Sequence, residues 1–267
     1  MQHWRVDNLI SCHSNNLKLT EGLKLVKPRP TTGSLAAYDN FQADELHRFM
    51  LIYNLEVEDT ITGCEWFPGE MMPPRKLQVN LPDEIYNLLV EYYKNAYGLE
   101  FVTIAGSIRS RRNNPIVVRP QVNQFGRIRI GAEIFGSSNT PRYIKNSFIL
   151  AKFIQNDDSI EVFPGQVQYF FEHEVNLPGK KEMHQLAYVK WFMPVPDHRK
   201  RFHFQINNDI KSCNVEIWTK DFCNIDRDCI IPVHNILSRF IPSEYVIGRR
   251  NPIIYMAVIP IGRKYHI

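Results

Sequence analysis

Long hydrophobic runs are missing from this sequence. Its longest apolar stretches, such as residues 255–261, fall far short of the roughly 20 residues a membrane-spanning helix needs. The first twenty residues carry Arg5, Asp7 and Lys18 with no apolar core, so no secretory leader is expected. Cysteine is scarce: five thiols in 267 residues exclude a disulfide scaffold. Cys213, Cys223, Cys229 and His234 are separated by nine, five and four residues, a set that does not start from the tight two-to-four-residue knuckle usual in zinc sites. Buried thiols are the expectation, and no metal ligand set is assigned.

Catalytic signatures are equally scarce. There is no Gly-x-Ser-x-Gly elbow and no His-Glu-x-x-His. Residues 131–138 contain two glycines but lack the lysine and spacing of a phosphate loop. His173 lies between Glu172 and Glu174, and strand alternation would turn it away from both carboxylates. No enzyme activity and no cofactor are expected.

Acidic residues are absent between Glu100 and Glu133, while Arg109, Arg111, Arg112, Arg119, Arg127 and Arg129 all fall there. This stretch carries +6 of a chain whose net charge is +4. Guanidinium forks pair bidentately with phosphates and with guanine edges. These six arginines are the candidate nucleic-acid contacts, with a solvated loop and strand face as the alternative.

Apolar spacing predicts a helix from Gln42 through Leu46, Phe49, Met50 and Tyr53. Pro68–Gly69 and Pro73–Pro74 make residues 60–74 read as an extended loop. A second helix should begin at Pro82, with Asp83 and Glu84 in its first turn. Its apolar face would be Ile85, Leu88, Leu89 and Tyr92, with Gly98 as its stop. Beyond Gly98 the period changes to 2. Residues 125–130 alternate, with Ile128 and Ile130 facing inward and Arg127 and Arg129 outward. Further strands are predicted at 116–118, 148–154, 165–171, 186–191, 202–206, 215–218 and 253–259, with a turn at Pro178–Gly179. Residues 233–240 read as a short helix or an irregular strand. Tyr169, Phe171 and Trp191 sit in dense aromatic strands. They are either core residues or candidate readers, stacking on a base or caging a methylated lysine.

Three stretches carry a family resemblance: residues 146–154 leading into 163–173, residues 186–192, and residues 214–218 followed by 228–240. They resemble an uncharacterised family of early-diverging fungi found in or beside transposase-like proteins. Residues 41–53 are similar to the segment that follows the catalytic domain of CACTA-like transposases. The order of strands, with residues 189–192 shortly before Pro194 and residues 230–236 last, is similar to the bromo-adjacent homology (BAH) domain. Met193 stands where that domain usually has arginine.

The expected architecture is α+β: a helical, loop-rich region over residues 1–98 and a mainly antiparallel, barrel-like, BAH-like domain over 99–267. The resemblance implies a non-catalytic, transposon-derived module binding DNA or a nucleosome. A protein-interaction scaffold is the alternative. With no long apolar run and no leader expected, the expected location is intracellular, nuclear or cytoplasmic, with no membrane partner.

Overall fold

The computed structural model describes residues 61–109, 115–154, 160–204 and 215–261. The helix predicted over 42–53, together with Arg111, Arg112 and Cys213, lies outside those residues. No helix among the described residues is long and apolar enough to cross a membrane.

Antiparallel β-structure dominates. One ten-stranded sheet contains β1 (Gly69–Asn80), β4 (Gln121–Ile130), β5 (Glu133–Gly136), β6 (Phe148–Ile154), β7 (Ile160–Leu177), β8 (Lys180–Pro194), β9 (Glu216–Phe222), β10 (Ile230–Pro232), β11 (Ile236–Ile247) and β12 (Ile253–Pro260). The pairing order is β1-β4-β7-β6-β11-β12-β9-β8-β10, and β7 also pairs with β8. Two short strands, β2 (Phe101–Val102) and β3 (Ile116–Val117), form a separate parallel pair.

Two departures from the sequence reading have clear causes. Residues 69–74, the end of the 60–74 stretch read as loop, form the first half of β1. Its Pro73–Pro74 pair sits where the register shifts between Met72 and Arg75, and β1 is an edge strand, the position where proline is tolerated in a sheet. Residues 202–204, read as strand, are instead a turn after the short helix α3 (His198–Arg201). Phe204 there packs on Tyr245. The first labelled helices are α1 (Asp83–Tyr97) and α2 (Ile104–Arg109).

Helix α1 begins directly after Pro82, carries Asp83 and Glu84 in its first turn, and stops at Gly98, whose N–H bonds the Lys94 carbonyl. It buries Ile85, Tyr86, Leu89, Val90, Tyr92 and Tyr93. Those side chains share one core with Phe101, Val122, Phe125, Phe170, Leu186 and Ile231, so the seam after residue 98 is packed. Trp191 and Trp218 lie in the same core. A second, smaller cluster joins Val195, Ile217, Tyr255 and Ala257.

Candidate nucleic-acid interface

Alternation along β4 puts Phe125, Arg127 and Arg129 on one side and Val122 and Ile128 on the other. Ile128 and Val122 are buried, whereas Arg129 is exposed and Arg127 half-buried. Across the strand pair, Arg129 faces Glu70, Arg127 faces Met72, and Arg75 faces Phe125.

Arg127 is the most firmly placed cation of the group. Its Nε donates to the Pro73 carbonyl at 2.6 Å and an Nη1 hydrogen to the Tyr143 hydroxyl at 2.9 Å. The guanidinium lies 4.3 Å from the centre of the Tyr143 ring. A guanidinium has five N–H groups, so three are left without a protein partner among the described residues. Tyr143 belongs to a 3-10 turn, Pro141–Asn146, which lies against β5 at Gly136. Any side chain on Gly136 would collide with the Tyr143 backbone. That glycine lets the turn slide under Arg127.

Other cations surround this pair. Arg142 lies 5.7 Å from the same Tyr143 ring and Arg75 lies 5.2 Å from the Phe125 ring. Arg142, Lys145 and Lys76 are exposed. Arg129 is ion-paired with Glu70, which offsets its charge. The strand pair and the adjoining turn thus bring Arg75, Arg127, Arg129, Arg142 and Lys145 into neighbouring segments, with Glu70 ion-paired to Arg129.

This is only part of the arginine group singled out in sequence. Roughly 20 Å of extended strand separates Gln121, close to Arg119, from Arg127. Arg119 is exposed at the far end of β4, beside a cleft of about 430 Å³ lined by Ile116, Val117 and Leu177. Arg109 closes the short helix α2. Arg75, Arg142 and Lys145 were missed because they are distant in sequence. The available signals were the basic pair after Pro73–Pro74 and the Arg-Tyr-Ile-Lys run at 142–145.

The candidate aromatic readers are core residues. Trp191 is 1 % exposed, Tyr169 8 %, and Phe171 is fully buried. The Trp191 indole donates to the Asp228 carbonyl at 2.8 Å and meets Phe153 edge-on at 5.2 Å. A base or a methylammonium needs an open ring face, and these rings spend theirs on the core. This corrects the reading of the three as binding residues.

The isolated histidines do come together. His173 and His184 face each other across β7 and β8, both buried. His173 Nε2 donates to the Arg119 carbonyl at 2.9 Å, which leaves Nδ1 to accept the Tyr93 hydroxyl at 2.8 Å. The Tyr97 hydroxyl donates to Thr62 Oγ1 and accepts from His184 Nε2 at 2.6 Å, and the Thr62 hydroxyl donates to Glu65 Oε1. Burial drives both imidazoles down to about 4. Both rings are neutral at pH 7, and they bolt α1 to the β7–β8 hairpin. Among the described residues, no group of three metal-ligating side chains is placed to hold an ion.

No family model, curated protein or solved structure matches this chain.

Proposed function

We propose that this chain is a non-catalytic DNA-binding module that docks the phosphate backbone on the outer face of β1, β4 and the 141–146 turn. The observation that carries this reading is Arg127, held by Pro73 and Tyr143 with three N–H donors unpartnered among the described residues. Arg75, Arg142 and Lys145 flank it. Phosphate contacts of this kind position a duplex without reading its sequence. In this reading the circuit β7-β6-β11-β12-β9-β8, whose pairings return to β7, is a barrel-like frame of the BAH type. Transposon ancestry and action on chromatin fit the same reading.

The test is an electrophoretic shift of a random-sequence duplex at low salt. Arg127→Gln with Arg142→Gln should weaken the complex on every sequence tried. Lys94→Gln with Lys181→Gln, away from the face, should leave it intact. Equal loss from both pairs, or no shift by the unaltered chain, rejects the reading. Partner capture that ignores salt would favour a protein-interaction scaffold instead.

A further inference from the structure

The hairpin of β11 and β12 pairs over eight rungs, from Phe240 opposite Pro260 to Ile247 opposite Ile253. Among the described residues, its base is what anchors it to the sheet. β11 joins β6 through Ile236, Ser238 and Arg239, and β12 joins β9 through Met256, Ala257 and Val258. The last firmly supported rung is Tyr245 opposite Tyr255. Tyr245 contacts His203 and Phe204, and Tyr255 is buried with Val195 and Ile217. Beyond it, among the described residues, only Ile247 reaches back to that cluster.

The outer end has an unusual surface. Val246 is 54 % exposed, and Ile253 and Ile254 are each 51 % exposed. At the apex the chain runs Gly248–Arg249–Arg250–Asn251–Pro252, every residue exposed. Neither Arg249 nor Arg250 has an ion-pair partner among the described residues. The nearest carboxylate along the ribbon, Glu244, is engaged by Lys220. A folded chain rarely leaves apolar strand residues and bare guanidinium groups together at a tip unless something covers them.

We infer that this ribbon is a second DNA contact, and that its apex enters the minor groove of a duplex. The inference rests on the reading that the chain binds DNA, but uses residues remote in sequence from the Arg127 face. Arginine and asparagine are the side chains that read the minor groove, and proline and isoleucine are among those that wedge between base steps. Arg249, Arg250 and Asn251 lead here, with Pro252 and Ile253 immediately behind. The groove is about 6 Å wide, so entry requires widening, which an apolar wedge supplies by kinking the duplex toward the major groove. Val246 and Ile254 then meet the apolar faces of the sugars. The order of residues argues against a membrane: an inserting tip carries its apolar side chains deepest and its cations behind, at the headgroups. Here the cations lead.

The test uses the full chain and a fluorescein-labelled 24-base-pair duplex containing an A·T tract. Arg249→Gln with Arg250→Gln should lower affinity about tenfold at low salt and reduce the log–log salt slope by about 2. Netropsin, which fills the A·T minor groove, should displace the chain. Pro252→Ala should return the end-to-end energy transfer of a doubly labelled duplex to that of straight DNA. These are exposed loop positions, so circular dichroism and melting should match the unaltered chain. An unchanged slope in the double variant, or no competition by netropsin, overturns the inference while leaving the Arg127 face standing. So does capture by vesicles of phosphatidylcholine and phosphatidylserine with no binding to the duplex. Failure of the unaltered chain to bind any duplex removes both proposals together.

Discussion

Arg127 and Arg129 are two residues apart on one side of one strand, yet their surroundings give them different roles. Arg127 stacks on Tyr143 and, among the described residues, keeps three of its five donors unpartnered. Arg129 is spent on Glu70. Removing that carboxylate frees a cation, so Glu70→Gln should tighten DNA binding and steepen the salt slope by about 1. Weaker binding by this variant, measured by fluorescence anisotropy, would mean Glu70 itself supports the complex. Such pairing was not legible in the sequence, because Glu70 and Arg129 are distant in the chain and meet only through the β1–β4 register. Alternation alone did give the inward Ile128 and the outward arginines.

Titration also belongs to single residues. Burial is the main cause of the low values of His173 and His184, with the opposing pull of the Arg119 carbonyl on His173 smaller. The folded values near 4 lie below the unfolded value near 6.5, so the unfolded chain binds more protons between the two. Stability from this pair is therefore complete above about pH 6.5 and is lost as pH falls toward 4. Asp226 runs the other way. Burial, helped by Asp228, raises its carboxyl to about 7, so it loses stability as pH rises from about 4 to 7. Asp226→Asn keeps an oxygen for the Asp228 N–H and removes that opposing limb. Its unfolding free energy should fall toward acid more steeply than that of the unaltered chain, by about 1.4 kcal/mol per pH unit. Superimposable urea-denaturation profiles across pH 4.5–6.5 would contradict these assignments.

At the scale of elements, the long strands depend on close approaches. β7 passes over Trp191 at Gly165, where an added Cβ would lie 2.6 Å from the indole and 2.6 Å from Val189. Gly165→Ala overpacks that crossing and should cost about 1–3 kcal/mol. Trp191→Ala empties the same region and should cost about 3–5 kcal/mol. Thermal melts of both variants matching the unaltered chain would place this crossing outside the stabilising core. Helix α1 was readable because its proline start, acidic first turn, apolar period and glycine stop all agree. β1 was not, because Pro73–Pro74 signals a loop by local chemistry, and only pairing with β4 makes the segment a strand. Aromatic strands had two readings in sequence, and burial of Trp191, Phe171 and Tyr169 selects the core one.

At the scale of the whole molecule, the described arginines of the run do not share one surface: Arg119 lies before the start of β4, far along the strand from Arg127 and Arg129. β4 carries its ends far apart, and the basic face is completed instead by Arg75, Arg142 and Lys145 from other parts of the chain. The salt dependence of duplex binding tests the proposed face most directly. With Arg75, Arg127, Arg142 and Lys145 on phosphates, the dissociation constant should give a log–log slope of magnitude about 4, at roughly 0.9 per contact, before any ribbon contribution. Arg127→Gln with Arg142→Gln should bring it down by about 2, equally on unrelated sequences. A slope near zero, or one that these substitutions leave unchanged, would contradict the account.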